Sequence, residues 1–96
     1  MKKRVYISLP ITGIAPDVVS QTNTAAKAHI KSQGYSPISP LDVCQGIEGY
    51  ANQMGKDITA LLDCDAVYFC RGWRQSRGCK AEYAVARIYE KEIFFE

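Results

Sequence analysis

Ala66-Val67-Tyr68-Phe69-Cys70 is almost wholly apolar, with Asp65 before it and Arg71 after it. A strand with one wet face alternates apolar and polar side chains. This run does not alternate, so it reads as a central strand covered on both faces, as in a parallel sheet. The neighbouring stretches agree. Upstream, Met54, Ile58, Leu61 and Leu62 make an apolar stripe, which predicts a helix over about Gln53 to Leu62. Downstream, Arg71 to Gln75 reads as a loop. Ser76 to about Tyr89 then reads as a helix, with Ala81, Ala84, Val85 and Ile88 on its core side. Glu92 to Phe95 reads as a last strand.

The amino-terminal half repeats the alternation. Arg4 to Ser8 is a β-rich run stopped by Pro10 and Gly13. Pro16 suits the first turn of a helix. Val18, Val19, Thr22, Ala25, Ala26, His29 and Ile30 follow at helical spacing, and Gly34 ends it. Tyr35 to Ile38 is a short extended piece held by Pro37 and Pro40. Ser39 to Asn52 reads as a long connection. The order β-α-β-α-β-α-β predicts a single α/β domain over residues 1–96, with a four-stranded parallel sheet between helices and right-handed crossovers. The expected strand order is 2-1-3-4. Ligands of such sheets sit outside the carboxyl ends of the strands. Three segments lie there: Leu9 to Ala15, Ser39 to Asn52 and Arg71 to Arg77.

Bulk properties narrow the function. Net charge is +2 over 96 residues, too little for a duplex-binding footprint. No stretch approaches the ~20 apolar residues of a membrane span. Met1-Lys2-Lys3-Arg4 is basic, but Ser8, Pro10, Thr12 and Gly13 break the apolar run a secretory leader needs, which points to the cytoplasm. The four cysteines, Cys44, Cys64, Cys70 and Cys79, form no CxxC pair, and His29 is the only histidine. The expectation is therefore reduced thiols and no metal or cofactor. A chain this small also favours self-association, since a second copy can complete a shallow core.

Glu82 is the acid that needs explaining. With Ser76 as N-cap, a capping-box acid would fall at Cys79, so capping does not account for Glu82. Gly78 one turn before it and Ala86 one turn after it leave space beside its side chain. The nearby helix start favours its ionised form. Asp57 is the best second carboxylate, because it precedes the strand whose far end leads to Glu82. Two carboxylates at one sugar are what glycosidic cleavage requires. Ser8-Leu9-Pro10-Ile11-Thr12-Gly13 reads either as a cradle for phosphate or sugar or as a rigid turn, and it matches no standard nucleotide fingerprint. Arg71, Arg74 and Arg77 around Trp73 read either as a phosphate clamp with a stacking indole or as solvated charges beside a contact surface. Tyr6 on the first strand reads as core.

YISLPITG, MGKDITALLDCDAVYF and GWRQSRGCKAEYAVA, in that order and spacing, resemble the nucleoside 2-deoxyribosyltransferase-like superfamily, most of all a short branch found in phages and bacteria. The resemblance implies a three-layer Rossmann- or flavodoxin-like sandwich and a small-molecule nucleotide or nucleoside as partner. It makes Glu82 the nucleophile and Asp57, eight residues before Asp65, the catalytic aspartate, with Tyr6 beside them. Ser76 becomes the serine that holds a substrate phosphate, with Gly78 near it. Gly13 becomes the glycine that closes the loop after the first strand; Ser8, Pro10 and Ile11 of that loop, and Trp73, stay the further substrate-binding candidates of the residue reading. The implied chemistry is N-glycosidic cleavage or transfer through a glycosyl-glutamate ester. A nucleotide-binding module without turnover and a plain interaction protein are the competing expectations.

Overall fold

Alternation along the first strand builds two cores. Val5, Ile7 and Leu9 point to one face of the sheet, where Ala66, Tyr68 and Cys70 join Val19, Ala26 and Ile30 of the first helix. Tyr6 points to the other face, where Val67 and Phe69 meet Leu61 and Ala86. Successive strand side chains face opposite ways, so one short segment serves both layers.

The computed structural model describes residues 2–96. Its elements are β1 (Arg4–Ser8), α1 (Pro16–Ser32), β2 (Ser36–Ile38), α2 (Pro40–Val43), α3 (Tyr50–Leu62), β3 (Ala66–Phe69), a 3-10 turn (Trp73–Gln75), α4 (Arg77–Ile88) and β4 (Glu92–Phe95). The sheet order is β2-β1-β3-β4, and every pairing is parallel. This is the expected α/β sandwich, with α1 on one face and α3 and α4 on the other. All four residues of β3 are buried, as its unbroken apolar run requires.

Two stretches differ from the sequence reading. The connection after β2 holds a short helix, α2. Ser39 caps it by accepting from Leu41 N at 3.1 Å, and Pro40 fills its first position. Ser-Pro is a helix start as well as an extended dipeptide, and here the helix wins. The next helix begins at Tyr50 rather than near Gln53. Asn52, read as the end of the connection, lies inside this helix, and the side-chain amides of Asn52 and Gln53 donate to the carbonyls of Glu48 and Ile47 at 3.0 and 2.9 Å, tying off the preceding loop. Among the described residues, no helix is long and apolar enough to cross a membrane.

Candidate active site

The carboxyl ends of the strands open onto a cavity of about 520 Å³, within the range that holds small-molecule ligands. All three expected segments contribute. Leu9, Ile11 and Thr12 come from the loop after β1. Pro40 and Tyr50 come from the connection after β2. Gln75, Ser76 and Arg77 come from the loop after β3 and the start of α4. The remaining wall is helical: Gln53, Met54 and Asp57 of α3, and Gly78, Cys79 and Glu82 of α4.

Glu82 faces this cavity from α4 yet is only 4% exposed. Helical spacing puts Gly78, Cys79 and Ala86 on the same inward side. The two carboxylate oxygens are held separately. Ser8 Oγ donates to Oε1 at 2.7 Å, and Tyr6 Oη donates to Oε2 at 2.8 Å. Tyr6 and Ser8 stand two residues apart on β1, hence on one face of the sheet. Both are fully buried. They lie behind the carboxylate and fix its orientation.

Asp57 reaches the same cavity from α3 and is 8% exposed. Cys44, at the end of α2, donates its thiol hydrogen to Asp57 Oδ1 at 3.0 Å. Sequence reasoning gave Cys44 no role, and no spacing signal could have found it, because the contact depends on where α2 packs.

Burial dominates the titration of the site. It pushes the Glu82 carboxyl up to about 7; the hydrogen bonds from Ser8 and Tyr6 pull it back, and the neighbouring Asp57 charge raises it again. The helix start therefore does not keep Glu82 an ordinary ionised acid, as its position in the sequence suggested. Burial also raises Asp57, opposed by the hydrogen bond from Cys44. Burial, followed by the two nearby carboxylates, drives the Tyr6 phenol far up, so it stays a proton donor. Its single proton goes to Glu82 Oε2, and the Asp57 charge acts on the phenol from nearby.

Ser76 caps α4 by accepting from Cys79 N at 3.2 Å. Gly78 follows at the cavity wall. A Cβ there would lie 3.4 Å from Tyr50 Oη and 3.5 Å from Met54 Sδ, so the missing side chain is part of the cavity's volume. Of the first loop, Ile11 lines the cavity. Pro10 instead packs toward Gly72, whose Cβ position lies 3.8 Å from Pro10 Cγ. Gly13 turns the loop with φ 79°, and nothing lies within 4 Å of its Cβ position.

Trp73 departs from the expected base-stacking position. Its ring stacks on Tyr83 at 4.7 Å and on Phe95 at 5.7 Å, and it packs on Phe69 at 5.2 Å. The Arg74 guanidinium lies 5.4 Å from its centroid. The indole is absent from the large cavity and borders a separate hollow of about 210 Å³ with Arg71 and Arg74. Three aromatic partners from β3, α4 and β4 outweigh an open position on the loop. Of the three arginines, only Arg77 lines the larger cavity.

Among the described residues, no group of three or more His, Cys, Asp or Glu side chains is placed to hold a metal ion. No curated protein matches the chain. A solved structure described as a 2-desoxiribosyltransferase from Leishmania mexicana superposes with a TM-score of 0.75 at 24% identity, over 97% of this chain and 63% of that one. The chain thus spans less than two thirds of that protein's length, and the likeness is one of fold. The family model described as Domain of unknown function (DUF4406) matches residues 3–95, and the chain belongs to that family.

Proposed function

We propose that this protein is an N-glycosidase of the nucleoside 2-deoxyribosyltransferase-like superfamily. It breaks the bond between base and deoxyribose in a nucleoside 5′-monophosphate and passes the sugar to water or to another base. One observation carries the reading: a buried carboxylate, clamped by two hydroxyl donors, faces a nucleotide-sized cavity that a second carboxyl also lines. The fold shared with a protein described as a 2-desoxiribosyltransferase supports it.

Glu82 attacks the anomeric carbon as the C–N bond breaks, and the bonding pair leaves with the base. Asp57 orients the leaving base or supplies its proton. Water or a second base then attacks the anomeric carbon, the ester C–O bond breaks, and the electrons return to Glu82. Two inversions give net retention. Tyr6 and Ser8 hold both oxygens of Glu82, so little reorientation is needed before attack. Ile11, Met54 and Tyr50 offer apolar surface to a base. Ser76, the start of α4 and Arg77 offer donors and positive charge to a 5′-phosphate.

A binding module without turnover is the second reading. It is favoured by the same 4% exposure and by the full engagement of both Glu82 oxygens. Base release separates the two. The protein is incubated with deoxyribo- and ribonucleoside 5′-monophosphates, and free base is measured by chromatography beside Glu82→Ala. Release that disappears in the variant is expected. Nucleotide binding with no release selects the second reading.

A further inference from the structure

Cys44 is the C-cap of α2, and its Sγ lies 3.0 Å from Asp57 Oδ1 and 3.4 Å from the carbonyl oxygen of Gln53. A thiol has one proton, and a carboxylate is the stronger acceptor. Burial, followed by the hydrogen bond to Asp57 and its charge, pushes the thiol up to about 12. Near neutral pH it is therefore S–H, a donor and not a nucleophile.

The element carrying this thiol is fixed from outside. Four residues cannot sustain a helix alone. Ser39 caps α2 and donates to Asn23 Oδ1 at 2.5 Å, a buried link to α1. Lys27 of α1 pairs with Asp42 of α2 at 2.6 Å. These ties hold α2 to α1, and its C-cap, Cys44, meets Asp57 of α3. The other titratable groups acting there are Tyr6 from β1 and Glu82 and Cys79 from α4, with Lys56 adjacent on α3 itself.

We propose that Cys44 is a positioning residue for Asp57: its thiol occupies Oδ1, fixes the carboxyl plane and leaves Oδ2 to serve the ligand. The kinetic part of this inference rests on the proposed glycosidase reading. The geometric part does not.

The test uses the full chain as wild type, Cys44→Ala and Cys44→Ser. Carbon NMR follows the Asp57 carboxyl titration, assigned with Asp57→Asn. Cys44→Ala removes a donor to the ionised form, so Asp57 is expected to titrate at higher pH. Cys44→Ser restores a donor and is expected to bring the titration back toward wild type. Should the alanine variant fail to fold, Cys44→Val keeps the volume and gives the same readout. On the nucleotide that releases base, kcat is expected to fall about tenfold in Cys44→Ala, the scale of one hydrogen bond to a charged group, with KM little changed and activity largely recovered in serine. Identical Asp57 titrations in all the variants would overturn the proposal. A shifted titration in a protein that releases no base upholds Cys44 as the positioning residue and overturns the glycosidase reading instead.

Discussion

Tyr6 Oη lies 2.8 Å from Glu82 Oε2, although 76 residues separate them in the chain. The bond joins a central strand to α4, the helix of the third crossover. It stabilises the ionised carboxylate, the form a nucleophile must have. Tyr6→Phe removes that donor and leaves Ser8 alone. The Glu82 carboxyl then titrates at higher pH, so the acid limb of kcat/KM moves upward. At pH 7 the loss is expected to be about tenfold, the scale of one hydrogen bond to a charged group. A pH–rate profile with an unmoved acid limb would show that Tyr6 does not tune Glu82.

Glu82 also makes stability depend on pH. Its carboxyl sits at about 7 in the folded chain against an ordinary 4.5. Between those values the folded state holds a proton that the unfolded state has lost. The contribution is fully present below 4.5 and is lost as pH rises through about 7. At ~1.4 kcal/mol per pH unit, the cost of ionising Glu82 above that range is on the order of 3 kcal/mol. Glu82→Gln carries no charge at any pH. It is therefore expected to raise Tm at pH 8 and to gain little or nothing at pH 5, while abolishing base release. Thermal denaturation at the two pH values checks this; an equal change in Tm at both would contradict it.

Gly78 lies in a helix, where glycine costs roughly 0.5–1 kcal/mol relative to alanine. A methyl group there meets the side-chain ends of Tyr50, Met54 and Ser76 at 3.4, 3.5 and 3.9 Å, all ordinary van der Waals distances. Gly78→Ala is expected to fold at least as stably as wild type and to bind nucleotide more weakly, because it narrows the cavity. Denaturant melts paired with calorimetric titration measure both. Unchanged affinity would remove Gly78 from the binding surface.

Trp73 packs against Tyr83, Phe95 and Phe69 outside the large cavity. Trp73→Ala is expected to cost about 2 kcal/mol of stability, below the range for fully buried aromatics because the indole is only partly buried. KM for the nucleotide is expected to stay within about twofold, since no contact to the cavity is lost. A raised KM with unchanged stability would return Trp73 to the ligand.

The sheet was legible because β3 lacks alternation and because proline, glycine and apolar periodicity mark most of the element boundaries. Glu82 stood out because it falls one turn beyond the position that capping explains. The partners of Glu82 were harder to read. Ser8 looked like a ligand-facing residue at a strand end, whereas the pleat turns it under the helix and onto Oε1. Trp73 looked like a stacking residue because its loop is polar; the rings that capture it arrive from β3, α4 and β4. Cys44 was illegible because its contact depends on a four-residue helix that has no periodicity to detect. Local pattern thus reveals elements and oddly placed charges. Contacts made across the sheet appear only once the layers are assembled.

The most direct test of a covalent Glu82 intermediate is the stereochemistry of sugar transfer. With methanol replacing part of the water, the sugar released from a nucleoside 5′-monophosphate is captured as a methyl glycoside, and proton NMR identifies its anomer. Double displacement through Glu82 gives the anomer of the starting nucleotide. The opposite anomer would mean that the acceptor attacked the nucleotide directly, and that Glu82 never bonds to the sugar.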